Sequence, residues 1–228
     1  MSAIVFGGAR GIGAAIVEQL GHRGYWNPVI IDKVSHPSRD TIIASFPLVE
    51  EGAAAELADF RSLSFREVYI TFGRPTHRKF DETDNLKEEQ LWAGNFGAVT
   101  SALRICRPFL FPDSSIVITS SVSASTADPG GTIYAAAKAG LEAVVRGLAR
   151  EWAPVRVNAI APGPTSTEQF MEKVPATNRM LEAGRSPHHV LITPQQVAFA
   201  ATRLAEMTGV SGVVLPVDLA GQSSSRRM

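Results

Sequence analysis

Tyr134 and Lys138 stand four residues apart in Tyr134-Ala135-Ala136-Ala137-Lys138. On a helix the two side chains share one face, one turn apart. A free tyrosine has a pKa of about 10 and is protonated near neutrality. A cation held beside it favours the phenolate, and lowering that pKa by about 2–3 units takes roughly 3–4 kcal/mol of differential stabilisation. Such a pair suits proton exchange with a substrate oxygen. A surface tyrosine beside a solvated lysine has the same spacing, so the pair needs company. Ser121 lies 13 residues before Tyr134, just after the apolar run 116–119. Asn95 falls in an earlier helical stretch, and Pro162-Gly163 follows a later apolar run, with Thr165 and Thr167 just beyond.

A second signal opens the chain. The apolar run 3–6 leads into Gly7-Gly8-Ala9-Arg10-Gly11-Ile12-Gly13, after which Ile12, Ile16, Val17 and Leu20 repeat at helical spacing. A strand, a glycine turn and a helix let backbone approach a pyrophosphate and offer it free N–H groups and a positive dipole end. The spacing Gly7-x-x-x-Gly11-x-Gly13 is not the usual G-x-G-x-x-G, and a glycine cluster alone also serves a merely tight turn. Asp32 strengthens the dinucleotide reading. It closes the second apolar run, 19 residues after Gly13, where a carboxylate accepts hydrogen bonds from both hydroxyls of an adenosine ribose. Its charge repels a 2′-phosphate, whereas Arg10 and Lys33 welcome one. Weighing Asp32 more heavily makes NAD the expected cofactor and NADP the second choice.

The elements that must position these groups follow from periodicity. Short apolar runs predict strands at 3–6, 28–31, 42–46, 68–72, 116–119, 155–160 and 213–217. Helical patterns predict helices at 11–23, 49–59, 84–110, 132–152 and 194–207, the last with Pro194 at its first position. Residues 166–186 read as irregular or short-helical, and the tail from Gln222 as frayed. Alternating strands and helices mean an α/β fold: a Rossmann-type, doubly wound parallel sheet in a single domain spanning 1–228. Every chemical candidate falls just after a strand or on the helix that follows, at the carboxyl edge where such sheets bind ligands.

Composition narrows the classes. The 22 basic and 22 acidic side chains cancel, so no basic excess points to nucleic acid or a membrane surface. No apolar run reaches the length of a membrane span. The single cysteine, Cys106, falls in a helix and reads as a buried thiol. A cytoplasmic location fits. His188-His189 lack partner ligands at useful spacing, so no metal site is expected.

Taken together, the glycine turn (Gly7, Gly11, Gly13), Asn95, Ser121, Tyr134 with Lys138, and Pro162-Gly163 resemble, in order and spacing, the short-chain dehydrogenase/reductase family of classical type. The likeness runs from Gly7 to Asp218. It implies an oxidoreductase that moves a hydride between a nicotinamide cofactor and a carbonyl or secondary alcohol. In that family Tyr134 would be the general acid/base, and Lys138 would hold the nicotinamide ribose and depress the pKa of Tyr134. Ser121 would bind the substrate oxygen, and Asn95 would position a water in a proton relay. Thr167 and the backbone after Gly163 would grip the carboxamide. Two departures stand out. Ile70-Thr71-Phe72-Gly73 replaces the family's Asn-Asn-Ala-Gly, keeping only Gly73, and Ser45-Phe46 replaces its Asp-Val; both touch the adenosine half.

The segment 168–193 is expected to act as a substrate lid, with Phe170, Met171, Val174, Met180 and Leu181 suiting a partly apolar small molecule. The same residues would also serve simply to cap the core. Arg179 and Arg185 are candidates to meet an anionic group. The resemblance implies a homodimer or homotetramer through the helices 84–110 and 132–152. Two other readings stand beside the redox enzyme: a non-redox epimerase or dehydratase with permanently bound NAD, and a cofactor-sensing binding protein.

Overall fold

A computed structural model describes residues 2–25, 27–37, 42–43, 64–75 and 78–221. Seven parallel strands form one sheet in the order β3-β2-β1-β4-β5-β6-β7. They are β1 (Ala3–Phe6), β2 (Val29–Asp32), β3 (Ile42–Ile43), β4 (Phe65–Ile70), β5 (Leu110–Thr119), β6 (Arg156–Pro162) and β7 (Val214–Val217). The chain's progression through the sheet reverses between β1 and β4, which pair in parallel with Phe6 opposite Ile70. Their carboxyl ends open the crevice in which ligands of such sheets sit.

The apolar runs are buried strands because alternate residues feed two separate cores. Ile4 and Phe6 pack with Val68, Ile70, Ile116 and Ile118 on one face. That face is covered by Val99, Ala102 and Leu103 of α3 (Ala98–Cys106) and by Leu141 and Val145 of α5 (Thr132–Glu151). Ala3, Val5 and Ile30 face the other way, onto Ile16, Val17 and Leu20 of α1 (Gly11–His22) and Val197, Ala201 and Leu204 of α8 (Pro194–Glu206). Each fully buried aliphatic side chain contributes about 1.5–3 kcal/mol relative to exposure. The α8 helix starts at Pro194 under a reciprocal capping box between Thr193 and Gln196, which satisfies two otherwise orphaned N–H groups.

Sequence periodicity misplaces some boundaries. The single helix expected over 84–110 is three pieces: α2 (Asn85–Trp92), a π-helical turn (Ala93–Gly97) and α3, followed by a 3₁₀ turn at Arg107–Phe109. Strand β5 begins at Leu110, six residues before the apolar core of that run, because Leu110 pairs with Phe65 across a register irregularity that precedes the pairing of Ser115 with Glu67. Residues 166–186 resolve into α6 (Glu168–Lys173) and α7 (Ala176–Ala183). A short helix, α4 (Ser123–Thr126), follows β5. Of the strand expected at 42–46, only Ile42–Ile43 lies within the described residues. The helix expected at 49–59, Ser45-Phe46 and the tail from Gln222 lie outside them.

The sheet's far edge, away from the crevice, is tied by Glu67. Its carboxylate accepts from Arg23 at 2.7 and 2.9 Å, from the Tyr25 hydroxyl at 2.8 Å and from the Tyr69 hydroxyl. Arg23 also pairs with Glu206 at 2.8 Å. Cys106 is buried, and desolvation pushes its thiol up to about 12; it is an inert core residue.

Candidate active site

The glycine turn follows directly from β1. Gly7 N–H donates to the Ile31 carbonyl at 2.7 Å, and Gly7 and Gly11 take φ of +81° and +54°, a region side chains disfavour. Gly13 is held harder still: a Cβ there would stand 2.0 Å from the Gly7 carbonyl oxygen. Thr71 ties the turn to β4, with Oγ1 2.9 Å from the carbonyl oxygens of both Phe6 and Gly7. The departure from Asn-Asn-Ala-Gly at Thr71 therefore keeps the turn anchored through a hydroxyl.

Helix α1 begins after Arg10, which makes no side-chain cap, and has no acidic residue in its first turn. Its first N–H groups are left to a ligand, and a helix start of this kind attracts anions. Asp32 ends β2 beside the turn and accepts from the Ala9 N–H at 3.0 Å. Ile12 packs its side chain toward the α1 core. A cradle closed to any Cβ, a free helix start and a carboxylate one strand away fit a dinucleotide: Gly7, Gly11 and Gly13 at the pyrophosphate, Asp32 at the adenosine ribose.

The opposite end of the crevice holds the titratable groups. Lys138 is fully buried on α5; its Nζ donates to the Thr119 carbonyl at 2.8 Å and the Phe72 carbonyl at 3.0 Å. Burial pushes this ammonium down to about 7. Both bonds go to backbone carbonyls, which hold Nζ in place. Tyr134, one turn earlier, is only partly exposed. Burial pushes its phenol up, and the neighbouring Ser121 side chain draws it partly back. The depressed phenol expected beside Lys138 is therefore not what the structure holds. Nζ stands 5.9 Å from the Tyr134 ring centroid and turns to backbone carbonyls, so desolvation prevails over any cationic help.

Asn95 sits in the π turn, 1% exposed. Its Oδ1 accepts from the Arg74 N–H at 2.8 Å and its Nδ2 donates to the Leu91 carbonyl at 3.0 Å. Gly73, with φ of +148°, lies against both this amide and Lys138. Asn95, Gly73 and Lys138 thus meet at one point. Single π turns of this kind are enriched at functional sites.

The strand after α5 ends at Pro162. Gly163 N–H bonds the Val217 carbonyl at 2.9 Å, and Thr165 Oγ1 donates to the Gly163 carbonyl at 2.8 Å, fixing the loop. Thr167 caps α6, accepting from the Phe170 N–H at 3.2 Å. Its methyl lies 3.2 Å from where a Cβ on Gly11 would be, so the residue just before α6 rests on the glycine turn. Met171, Met180 and Leu181 of the lid helices are exposed. Arg185 is paired with Asp128 at 2.8 Å, tying the end of the lid to the loop before α5. Arg179 reaches back to the Met171 carbonyl at 3.3 Å.

Comparison with known proteins settles the family. The family described as Enoyl-(Acyl carrier protein) reductase matches residues 48–220. The chain is 30% identical to the 3-oxoacyl-[acyl-carrier-protein] reductase MabA of Mycobacterium bovis, over 95% of this chain and 91% of that protein. It is 29% identical to a tropinone reductase homolog of Datura stramonium, over 96% and 90%. The fold matches the aldohexose dehydrogenase of Thermoplasma acidophilum with a TM-score of 0.88 at 21% identity, covering 97% of this chain and 94% of that one. The chain belongs to the short-chain dehydrogenase/reductase family.

As a short-chain dehydrogenase/reductase of classical type it is an NAD(P)-dependent oxidoreductase acting on CH–OH or C=O groups. No helix among the described residues is long and apolar enough to cross a membrane. Of the sequence candidates, Gly7, Asp32, Gly73, Ser121 and Gly163 lie at or just beyond strand ends, whereas Asn95 lies in the π turn and Tyr134 and Lys138 on α5. Four contributors escape motif reading. Thr71 carries its signal only as a hydroxyl directly after β4. The Phe72 and Thr119 carbonyls hold Lys138 through backbone, which side-chain identity cannot report. Ser120 is buried beside Ser121, and its Oγ donates to Glu142 at 2.9 Å; Glu142 continues the Tyr134, Lys138 series by one more turn.

Proposed function

We propose that Tyr134 exchanges a proton with the oxygen of a carbonyl or secondary-alcohol substrate while Ser121 holds that oxygen. The observation that carries this reading is Lys138, buried one turn after Tyr134 at the same sheet edge as the glycine turn, with its Nζ 5.9 Å from the Tyr134 ring centroid. A bound nicotinamide dinucleotide supplies or takes up the hydride. In reduction, the protonated phenol donates to the substrate oxygen, and the Ser121 hydroxyl steadies charge developing there. Burial favours the neutral phenol, which is the form an acid must have before transfer. Lys138 holds the ribose on the nicotinamide side, and its protonated form returns a proton toward Tyr134. Asn95 and Gly73 fix the backbone on which Lys138 rests. Thr167 and the loop after Gly163 orient the carboxamide, and the exposed methionines and leucine of 168–193 close over a partly apolar substrate.

The relatives named above as reductases favour reduction as the working direction. The test is turnover of a carbonyl panel followed by loss of reduced nicotinamide absorbance, with both dinucleotides in parallel. Steady oxidation of the cofactor supports the redox enzyme. Tight dinucleotide binding without any net oxidation, on ketones or on alcohols, rejects it in favour of a non-redox reaction.

A further inference from the structure

The face of α5 that carries Tyr134 and Lys138 has a third polar member. Glu142 lies four residues beyond Lys138, so the three side chains follow one another at intervals of about 6 Å along one side of the helix. Lys138 and Glu142 both reach the end of β5. Nζ of Lys138 takes the Thr119 carbonyl at 2.8 Å, and the next residue, Ser120, donates its hydroxyl to Oε1 of Glu142 at 2.9 Å.

Ser120 is 2% exposed. The Lys138 carbonyl oxygen lies farther from its Oγ, at 3.5 Å. A hydroxyl has one hydrogen to give, and the nearer, charged acceptor takes it. The backbone around it is pinned as well. The Ser120 N–H bonds the Ile160 carbonyl at 2.7 Å, and the Val122 N–H bonds the Pro162 carbonyl at 3.1 Å. Ser121 sits between these two points, held to β6 on either side. The tie from this segment to α5 is made by side chains alone.

The two ties differ in duty. Lys138 is also held by the Phe72 carbonyl and is assigned above to the ribose. The Glu142 carboxylate bonds only Ser120 among the described residues.

We propose that Glu142 is a positioning residue: through the Ser120 hydroxyl it sets the distance between Ser121, just beyond β5, and Tyr134, on α5, so that one substrate oxygen meets both. This rests on the reading of Tyr134 and Ser121 above and extends it to the group that aligns them. Glu142 acts through where its oxygen stands, with no proton taken. Glutamine carries an acceptor oxygen at the same reach, aspartate is one methylene short, and alanine has none.

The test compares kcat, dinucleotide Kd and Tm for Glu142→Gln, Glu142→Asp, Glu142→Ala, Ser120→Ala and the double variant Ser120→Ala/Glu142→Ala, on a carbonyl substrate that the wild type reduces. Glu142→Asp, Glu142→Ala and Ser120→Ala should each lower kcat by about 10–100-fold, as expected of a small misplacement at a reacting centre. Dinucleotide Kd should stay within about twofold, since the glycine turn is well separated from this bond. Glu142→Gln should keep kcat within about threefold of the wild type, a neutral acceptor being weaker but in place. The double variant should be no slower than either single one, because all three lose the same bond. A purely structural tie would lower Tm and leave kcat of the folded enzyme unchanged. That result, a Glu142→Gln as slow as Glu142→Ala, or additive losses in the double variant overturns the proposal while leaving the enzyme reading intact. If Ser120→Ala does not fold, the three Glu142 variants decide by themselves. A wild type without turnover, or a Tyr134→Phe of near-normal kcat, overturns the reading on which the proposal rests and the proposal with it.

Discussion

A methyl group on Gly73 would stand 2.7 Å from Nζ of Lys138 and 3.1 Å from Oδ1 of Asn95. Its φ of +148° is also one that side chains rarely adopt. Gly73→Ala must therefore displace either the lysine or the backbone that holds it. The expected result is a folded protein whose kcat falls on the order of 10²-fold, the cost of about 1 Å of misplacement at a reacting centre. Circular dichroism alongside steady-state kinetics checks it; a fully active Gly73→Ala would show that the contact has no bearing on turnover.

Tyr134→Phe removes only the phenol hydroxyl. Turnover should drop by about 10²–10⁴-fold, the usual contribution of a positioned general acid. Dinucleotide affinity should change little, since the groups that hold the cofactor are elsewhere. Titration and kinetics on the same preparation separate the two effects, and near-normal kcat would remove Tyr134 from the chemistry.

Lys138 imposes a pH signature on stability. Its ammonium has been pushed from an ordinary 10.5 down to about 7 by burial. Between those values the unfolded chain keeps the proton that the native chain has released, so stability rises with pH across that window. The penalty is present in full below about 7 and is gone above about 10.5. In thermal melts without added dinucleotide, the Tm of Lys138→Met minus that of the wild type should fall steadily from pH 7 to pH 10. The lost bonds to Phe72 and Thr119 add a constant offset, so only the trend is diagnostic; a flat difference would contradict a buried neutral amine.

Glu67 anchors the edge opposite the site. Glu67→Ala leaves the Arg23 guanidinium and the Tyr25 and Tyr69 hydroxyls without their shared acceptor. Breaking a buried pair from one side costs about 3–5 kcal/mol. Urea unfolding should show that loss, while kcat of the folded fraction stays within a factor of about two, in keeping with the modest coupling of well-separated positions. A variant of unaltered midpoint would mean that the cluster is well solvated.

The parallel sheet was legible because buried strands advertise themselves as short apolar runs, and the crevice followed from topology. Tyr134, Lys138, Ser121 and Asn95 stood out as candidates for a different reason: chemistry restricts residue type, and helix or strand ends restrict spacing. Backbone contributions left no such trace. Nothing in the letters Phe72 or Thr119 says that their carbonyls receive a lysine. The break at Ala93–Gly97 was equally silent, since Ala-Gly-Asn-Phe-Gly sits within an otherwise helical pattern and the switch to a wider turn depends on what Asn95 meets in space. The pKa of Tyr134 was misjudged for the same cause: proximity in sequence promised a cation, and the structure turned it toward two carbonyls.

The wide turn at Ala93–Gly97 has a geometric consequence for the pieces it joins. An extra residue within one helical loop rotates everything beyond it by about 100°, since an α-helix advances 3.6 residues per turn. Helix α2 before the turn buries none of its residues, whereas α3 after it buries Ala98, Val99, Ala102, Leu103 and Cys106. A one-residue deletion there would remove that rotation and swing the apolar side of α3 off the sheet, so the loop length at this point is fixed by the core as much as by Asn95.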